Sequence, residues 1–298
     1  MKKLIMAVIL MLIAMNIMAE VDGDRGFQML RILTDAASAG QAGSGAVNSV
    51  SGFNYLDNAA AGALTRVKAV SFSQNMWLFD TSMSNVGYRN SNGRKSFGFA
   101  IRYLDYGTIE NRTDQGIETG EYHPMDMNIV FNLGYRIFSS HYLGVNLRGL
   151  YEKIDDSSAT GISADLGYVY QTPIRDLKLL ATFKNFGKTS KMDEENIDLP
   201  LTMELGLSKD FDISGNRFSA ETRVIKDIDN DELKGAIGAE AQLYKRLLLR
   251  AGYKINYELE SFSCGFGVRL RRVEINYSYN PINEELDDVH FLGLNLKF

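Results

Sequence analysis

The chain has 298 residues, with 32 Lys and Arg against 37 Asp and Glu, and a formal net charge of −5. Without any Lys/Arg block, that balance excludes a protein that grips a nucleic-acid backbone. A single cysteine, Cys264, excludes an internal disulfide framework and a multi-thiolate zinc site. The separated His123, His141 and His290 leave little for a metal centre, so no metal and no cofactor is expected. The length allows two ordinary domains, although a single barrel of this size is common.

At the N-terminus, Met1, Lys2 and Lys3 form a positive start, Leu4 to Ile13 an apolar core, and Ile17-Met18-Ala19 a small-residue cleavage site. This predicts a cleaved secretory signal over residues 1–19, with an uncleaved anchor as the competing reading. No cysteine follows the site, so a lipoprotein anchor is excluded. Beyond it, no apolar run is long enough to cross a bilayer as a helix. The mature chain is therefore exported, as a soluble protein or a β-barrel.

Residues 20–65 do not alternate. Residues 35–47 are small and Gly-rich, and 58–63 repeat the theme. Phe27, Leu30, Phe53, Tyr55 and Leu56 make the stretch too apolar for a disordered linker. A segment folded inside a barrel or across its mouth is predicted, with these five side chains as a candidate apolar strip for a ligand. Its small-residue motif comprises Gly40, Gly43, Gly45, Asn58, Ala59 and Ala60.

From residue 66 onward the pattern changes to period two. Phe97, Phe99, Ile101 and Tyr103 alternate with Gly98, Ala100 and Arg102; Leu143, Val145 and Leu147 alternate with Gly144, Asn146 and Arg148. Such runs suit tilted membrane strands of about ten residues. Roughly fourteen are predicted over residues 66–298, an even number as a closed single-chain barrel needs. The fold class is thus all-β, a transmembrane antiparallel barrel of about 14 strands with a small N-terminal plug. Short turns at one end contrast with long connections at the other, chiefly 107–123 and 187–199.

If the apolar face meets lipid, the lumen holds Arg102, Asn128, Asn132, Arg136, Asn146, Arg148, Glu152 and Asp165, then Glu204, Glu240, Arg250, Lys254, Glu258, Arg269 and Glu274. A filled barrel would pair these charges with each other and with the plug. Trp77 is assigned to an aromatic girdle. Asp227, Asp229, Asp231 and Glu232 are read as a solvated hairpin tip, with lipopolysaccharide-bridging cations as the alternative, and 192–198 as a second acidic loop. The final strand carries Leu292, Leu294, Leu296 and Phe298 on one face and ends on the aromatic. That pattern resembles the signal read by the outer-membrane barrel assembly machinery. With the export signal, it predicts the outer membrane of a diderm bacterium. No catalytic residue is expected: His290 beside Asp287 and Asp288, and His141 after Ser139 and Ser140, point to different faces from their sequence neighbours.

Phe27 to Leu33, the run Ala39-Gly40-Gln41-Ala42-Gly43-Ser44-Gly45-Ala46-Val47 and the step Asn58-Ala59-Ala60 resemble the N-terminus of the PorV/PorQ group, which is related to FadL-type long-chain fatty-acid transporters. Two departures stand out. Ala59 replaces the family's proline, and Ser49-Val50-Ser51-Gly52 replaces an acidic pair, so the rigid turn that proline supplies is absent. The resemblance implies one of two roles. One is a conduit for fatty-acid-like hydrophobic compounds. The other is an accessory barrel of the type IX secretion system, docking secreted cargo or partner subunits. Short loops leave little surface for a large cargo and place uptake ahead. Implied partners are outer-membrane lipid and lipopolysaccharide, the assembly machinery, and a hydrophobic substrate or secretion components.

Overall fold

The computed structural model describes residues 26–45, 47, 51–113, 115–195, 197–228, 232–282 and 286–298. The predicted signal segment 1–19 lies outside them, as do Asp229 and Asp231. Sixteen strands follow in chain order: β1 (Arg66–Met76), β2 (Ser82–Asn92), β3 (Lys95–Asp105), β4 (Ile109–Arg112), β5 (Glu118–Tyr122), β6 (Met125–Phe138), β7 (His141–Ile154), β8 (Ser157–Gln171), β9 (Leu177–Thr189), β10 (Thr202–Ile213), β11 (Asn216–Asp227), β12 (Glu232–Leu243), β13 (Leu247–Ile255), β14 (Phe262–Leu270), β15 (Val273–Asn280) and β16 (Val289–Lys297). All but β4 and β5 form one closed antiparallel barrel. Neighbours pair in chain order, β3 passes to β6 across the β4–β5 hairpin, and β16 returns to β1 with Phe72 opposite Leu294. The strand count and closure are those the alternation predicts. No helix among the described residues is long and apolar enough to cross a membrane.

Most large apolar residues of the barrel strands face outward. Phe97, Ile101, Leu133, Leu147, Leu249 and Ile275 are exposed, whereas Ala100, Arg102, Asn132 and Asn146 on the same strands are buried in the lumen. A soluble protein of this kind would hide the former; here they form a continuous apolar belt, as lipid contact requires. The barrel has a turn end, with the short links such as 93–94 and 271–272, and a loop end with the longer ones. In one of these, read from sequence as an irregular connection, residues 109–122 carry the exposed β4–β5 hairpin instead. It stands apart as a separate two-stranded sheet.

The described residues of this segment, 27–45, 47 and 51–65, lie in the lumen between the loop end and the turn end, in short turns rather than regular elements. Gln28–Arg31 and Ala61–Ala63 are 3-10 turns, and Ala36–Ala39 and Asn54–Asp57 are single α-turns. None of these could stand alone at such length. What holds them is a band of inward-facing glycines. Gly134, Gly144 and Gly167 are in register across β6, β7 and β8, and Gly238 and Gly252 across β12 and β13. A Cβ on Gly144 or Gly167 would overlap the backbone of Ala59 or Ala60; one on Gly238 or Gly252 would overlap Gln41 or Ala42. Phe53 lies over Gly87 and Tyr55 over Gly98 in the same fashion.

The wall also supplies the hydrogen bonds that these turns cannot make for themselves. Asn132 Nδ2 donates to Ala59 O at 2.9 Å and Asn146 Nδ2 to Tyr55 O at 2.9 Å. Gly52 N donates to Ser71 Oγ at 2.7 Å and Ala42 N to Ser263 Oγ at 2.9 Å. Asn58 reaches the other way, from the segment to Thr182 Oγ1 (2.9 Å) and Ala181 O (3.1 Å), while its Oδ1 accepts from Ala60 N.

Substituting Gly144 by Val should therefore dislodge the Asn58–Ala60 step at a cost of about 1–3 kcal/mol. The expected readout is new protease cleavage within 40–65 in a barrel that still shows the heat-dependent gel shift of a folded one. Gly149→Val, on the same strand with no heavy atom within 4 Å of the added carbon, should leave cleavage unchanged.

Candidate functional site: a strapped lumenal cavity

At the loop end, residues 27–33 form a strap across the mouth, tied to the wall at four places. Phe27 N donates to Glu152 Oε2 on β7 at 2.6 Å. Arg102 Nη2 on β3 donates to Met29 O at 3.0 Å and to Ile32 O at 2.8 Å. Arg31 Nη1 pairs with Asp227 Oδ2 on β11 at 2.5 Å, and Asn75 Nδ2 on β1 donates to Leu33 O at 2.9 Å. Phe27 takes a left-handed backbone, φ 54°, to make the turn beneath Glu152.

Below the strap lies a cavity of about 330 Å3. Its near side is apolar, from Leu30, Leu33, Leu56 and Trp77. Its far side is charged, with Lys184, Arg223, Lys234 and Lys254 on the wall and Glu204, Asp227 and Glu260 among them. These charges are partnered: Lys184 with Glu204 at 2.7 Å, Arg223 with Glu204 at 3.2 Å and with Glu221 at 2.9 Å, Lys234 with Glu232 at 2.6 Å, Lys254 with Glu260, and Asp227 with Arg31. Over the whole lining, the cations Arg31, Arg102, Arg148, Lys184, Arg223, Lys234 and Lys254 outnumber the acids Asp57, Glu204, Asp227 and Glu260. The lining sets Leu30, Leu33, Leu56 and Trp77 beside a cation-rich wall, a lining suited to a molecule with one apolar and one anionic end.

The cavity reaches the barrel wall at a defect. The β8–β9 register shifts between Ala164 and Leu166, and Asn185 opposite has a left-handed backbone, φ 64°. A bulge of this kind leaves one residue outside the ladder. Asn185 N donates instead to Asp165 Oδ1 at 3.0 Å, and Asn185 Nδ2 to Pro200 O at 2.8 Å. The β9–β10 ladder runs only from Lys184 opposite Thr202 toward the turn end. Lys184, Asn185 and Thr202, at the end of that ladder, line the cavity.

The sequence-predicted residues divide. Leu30 and Leu56 line the cavity. Phe27 is buried with Leu150, Ala159 and Leu199, and Phe53 and Tyr55 with Ala100 and Val130, so these three pack against the wall and away from the cavity. Gly43 lines the cavity, and Gly40 sits 3.2 Å (from its would-be Cβ) from Gly265 Cα; Gly45 lies against Gln41, and Asn58, Ala59 and Ala60 dock on the glycine band. Leu292, Leu294, Leu296 and Phe298 lie on the face opposite the buried Phe291, Gly293 and Asn295, on the strand that closes the barrel.

Four expectations need correction. Asp227 is no solvated tip: it is buried and holds Arg31. Trp77 does not join an outer girdle, because its odd position continues the inward set of β1, so that its ring meets Phe291 edge-on at 6.0 Å and lines the cavity. Glu258 is exposed in the link after β13, which stops at Ile255. Arg136 bonds the Phe138 and Ser139 carbonyls at the turn-end rim. Other lumenal charges are paired: Arg148 with Asp165 at 2.5 Å, Arg250 with Glu240 at 2.7 Å and Arg269 with Glu274 at 2.6 Å. The cavity residues Arg31, Lys184, Arg223 and Lys234 escaped the sequence reading, and Tyr257, whose alternation reads as outward-facing, lines the cavity because β13 stops at Ile255. Inward parity on their strands was the available signal for Lys184, Arg223 and Lys234.

No family model matches the sequence, and no curated protein matches it. Solved structures do match its fold. The CymD monoaromatic hydrocarbon channel superposes with a TM-score of 0.66 at 12% identity, covering 89% of this chain and 97% of that one. The Pseudomonas putida toluene transporter TodX gives 0.63 at 13% identity over 93% and 98%. A Pseudomonas aeruginosa FadL homologue gives 0.56 at 12% identity over 93% and 100%. The chain therefore shares the closed barrel architecture of these proteins.

One group in the lumenal segment titrates in an accessible range. Asp35, buried before the Ala36–Ala39 turn, has its carboxyl raised by burial from 3.8 to about 6, against the opposing pull of the Ala37 N–H and of Arg250. The folded state then holds a proton that the unfolded state has lost between those values, so stability falls as pH rises from about 4 to 6 and is level above. Asp35→Asn keeps an acceptor for Ala37 and removes the titration. In guanidinium unfolding from acid to neutral pH, its stability relative to the parent should grow by up to about 3 kcal/mol across that window.

Proposed function

We propose that this chain is an outer-membrane conduit that passes small hydrophobic acids, fatty-acid-like in character, through its lumen. The observation that carries the reading is the strapped cavity, apolar toward Leu30, Leu33 and Leu56 and cationic toward Lys184, Lys234 and Lys254. An acyl or aromatic body fits the first side, and a carboxylate the second. The apolar belt supports placement in the outer membrane. The likeness to CymD, a monoaromatic hydrocarbon channel, and TodX, a toluene transporter, supports a hydrophobic cargo. The β9 bulge supports exit sideways into lipid, since the cavity meets the wall where the ladder is interrupted. The conduit is preferred to the secretion-accessory role because an enclosed cavity has no part in docking a protein.

The test is dodecanoate binding to the delipidated barrel by titration calorimetry. Leu30→Asp and Lys234→Gln should each weaken it roughly tenfold, about 1.4 kcal/mol. A folded barrel that takes up no dodecanoate, or two variants that bind it as the parent does, would sink the reading.

A further inference from the structure

We propose that the turn-end rim is a collar for the phosphate headgroups of anionic phospholipids in the leaflet it faces. The charges of the barrel are sorted by end. The turn-end links and the first residue of β3 carry Arg94, Lys95, Arg175, Lys245, Arg246, Arg271 and Arg272, all exposed. Among the described residues of those links the acid is Asp176, which Arg175 Nε holds at 3.2 Å; Asp212 lies one step up β10. At the loop end the balance is inverted. Acids occupy the connections 77–81, 106–124, 155–156, 190–201, 256–261 and 281–288, and the described cations there are Arg112 and Lys191.

The position of the cations selects lipid over a soluble acidic partner. They do not point only away from the barrel's end: two of them, Arg94 and Lys95, lie along its outer wall on an exposed aromatic ring of the apolar belt, and the nearby strand cations Lys209 and Lys68 do the same. Arg94 and Lys95 sit 5.7 Å and 5.5 Å from the Tyr135 ring, with Arg94 Nη2 donating to Tyr135 Oη at 3.3 Å. Lys209 lies 5.7 Å from Phe211 and Lys68 6.0 Å from Phe298. Exposed Phe138, Ile174, Tyr244 and Leu270 continue the apolar surface into the same rim. An aromatic ring in the lipid with a cation beside it sets the charge at headgroup depth. There each Lys or Arg gains about 1 kcal/mol from an anionic surface. The acidic loop end would be repelled by such a surface, so the two ends also prefer different leaflets.

This inference rests on the barrel lying in a bilayer and is independent of what the lumen carries. The experiment reconstitutes the full barrel in bilayers and compares, by electron spin resonance, boundary association of spin-labelled phosphatidylglycerol and phosphatidylcholine. Phosphatidylglycerol should be favoured about fivefold, the ratio equivalent to one such contact, and the preference should vanish in 1 M salt. The quadruple variant K245Q/R246Q/R271Q/R272Q should lose most of it, whereas R112Q/K191Q at the loop end should retain it. Equal association of the two lipids by the folded parent, or a preference untouched by the quadruple variant, would overturn the proposal. Because dodecanoate binding is read separately, the collar and the conduit can fail independently.

Discussion

Everything inside this barrel depends on how closely two backbones approach. At Gly144 and Gly167 the chain at Ala59 lies where a side chain would otherwise begin, and at Gly238 and Gly252 Gln41 and Ala42 do the same. A single methyl group at any of these points would push the segment off the wall. The rest of the lumen is arranged around that fit. Asparagines and serines flank the glycines because a segment pressed this close, in turns too short to satisfy themselves, must draw its hydrogen bonds from the strands.

The polar lumen thereby acquires a meaning different from that of an open pore. Asn132 and Asn146 serve peptide groups, and Arg148, Arg250 and Arg269 are held by carboxylates. Beneath the strap a cavity remains where Lys184, Arg223, Lys234 and Lys254 of the wall meet Leu30, Leu33 and Leu56 of the segment. The cavity is the part of the lumen that the segment leaves unfilled, and its mixed character follows from which two surfaces bound it.

How far the sequence disclosed this can be judged residue by residue. Period-two alternation located the strands because lipid on one side and a packed lumen on the other impose it on every residue, as at Phe97–Tyr103. Closure followed from strand length and number. The segment was detectable through its composition, yet its internal arrangement was not, because a Gly-Ala stretch has no periodicity to read. Phe53 and Tyr55 look like ligand contacts in sequence. Only the glycines of the adjacent strands β2 and β3, Gly87 and Gly98, reveal them as anchors. Trp77 and Asp227 misled for a different reason: each was read as part of a rim or tip, although its odd position continues the inward set of its strand, Ser71, Ser73 and Asn75 on β1 and Ser219, Glu221 and Arg223 on β11.

The path of residues 27–65 has a bearing on assembly. It starts at the loop end, against Glu152, and reaches the turn end at Arg66, where β1 begins. The chain thus passes lengthwise through the ring whose first and last strands, β1 and β16, meet at a single seam. Two routes lead to such a topology: a free end drawn through a finished ring, or a ring that closes about a segment already in place. A bore that admits bare peptide backbone at Ala59 and Gln41 offers no clearance for sliding side chains such as Phe53 and Tyr55 past it. Clearance thus favours a ring that closes about a segment already in place, with β16 meeting β1 once it lies there.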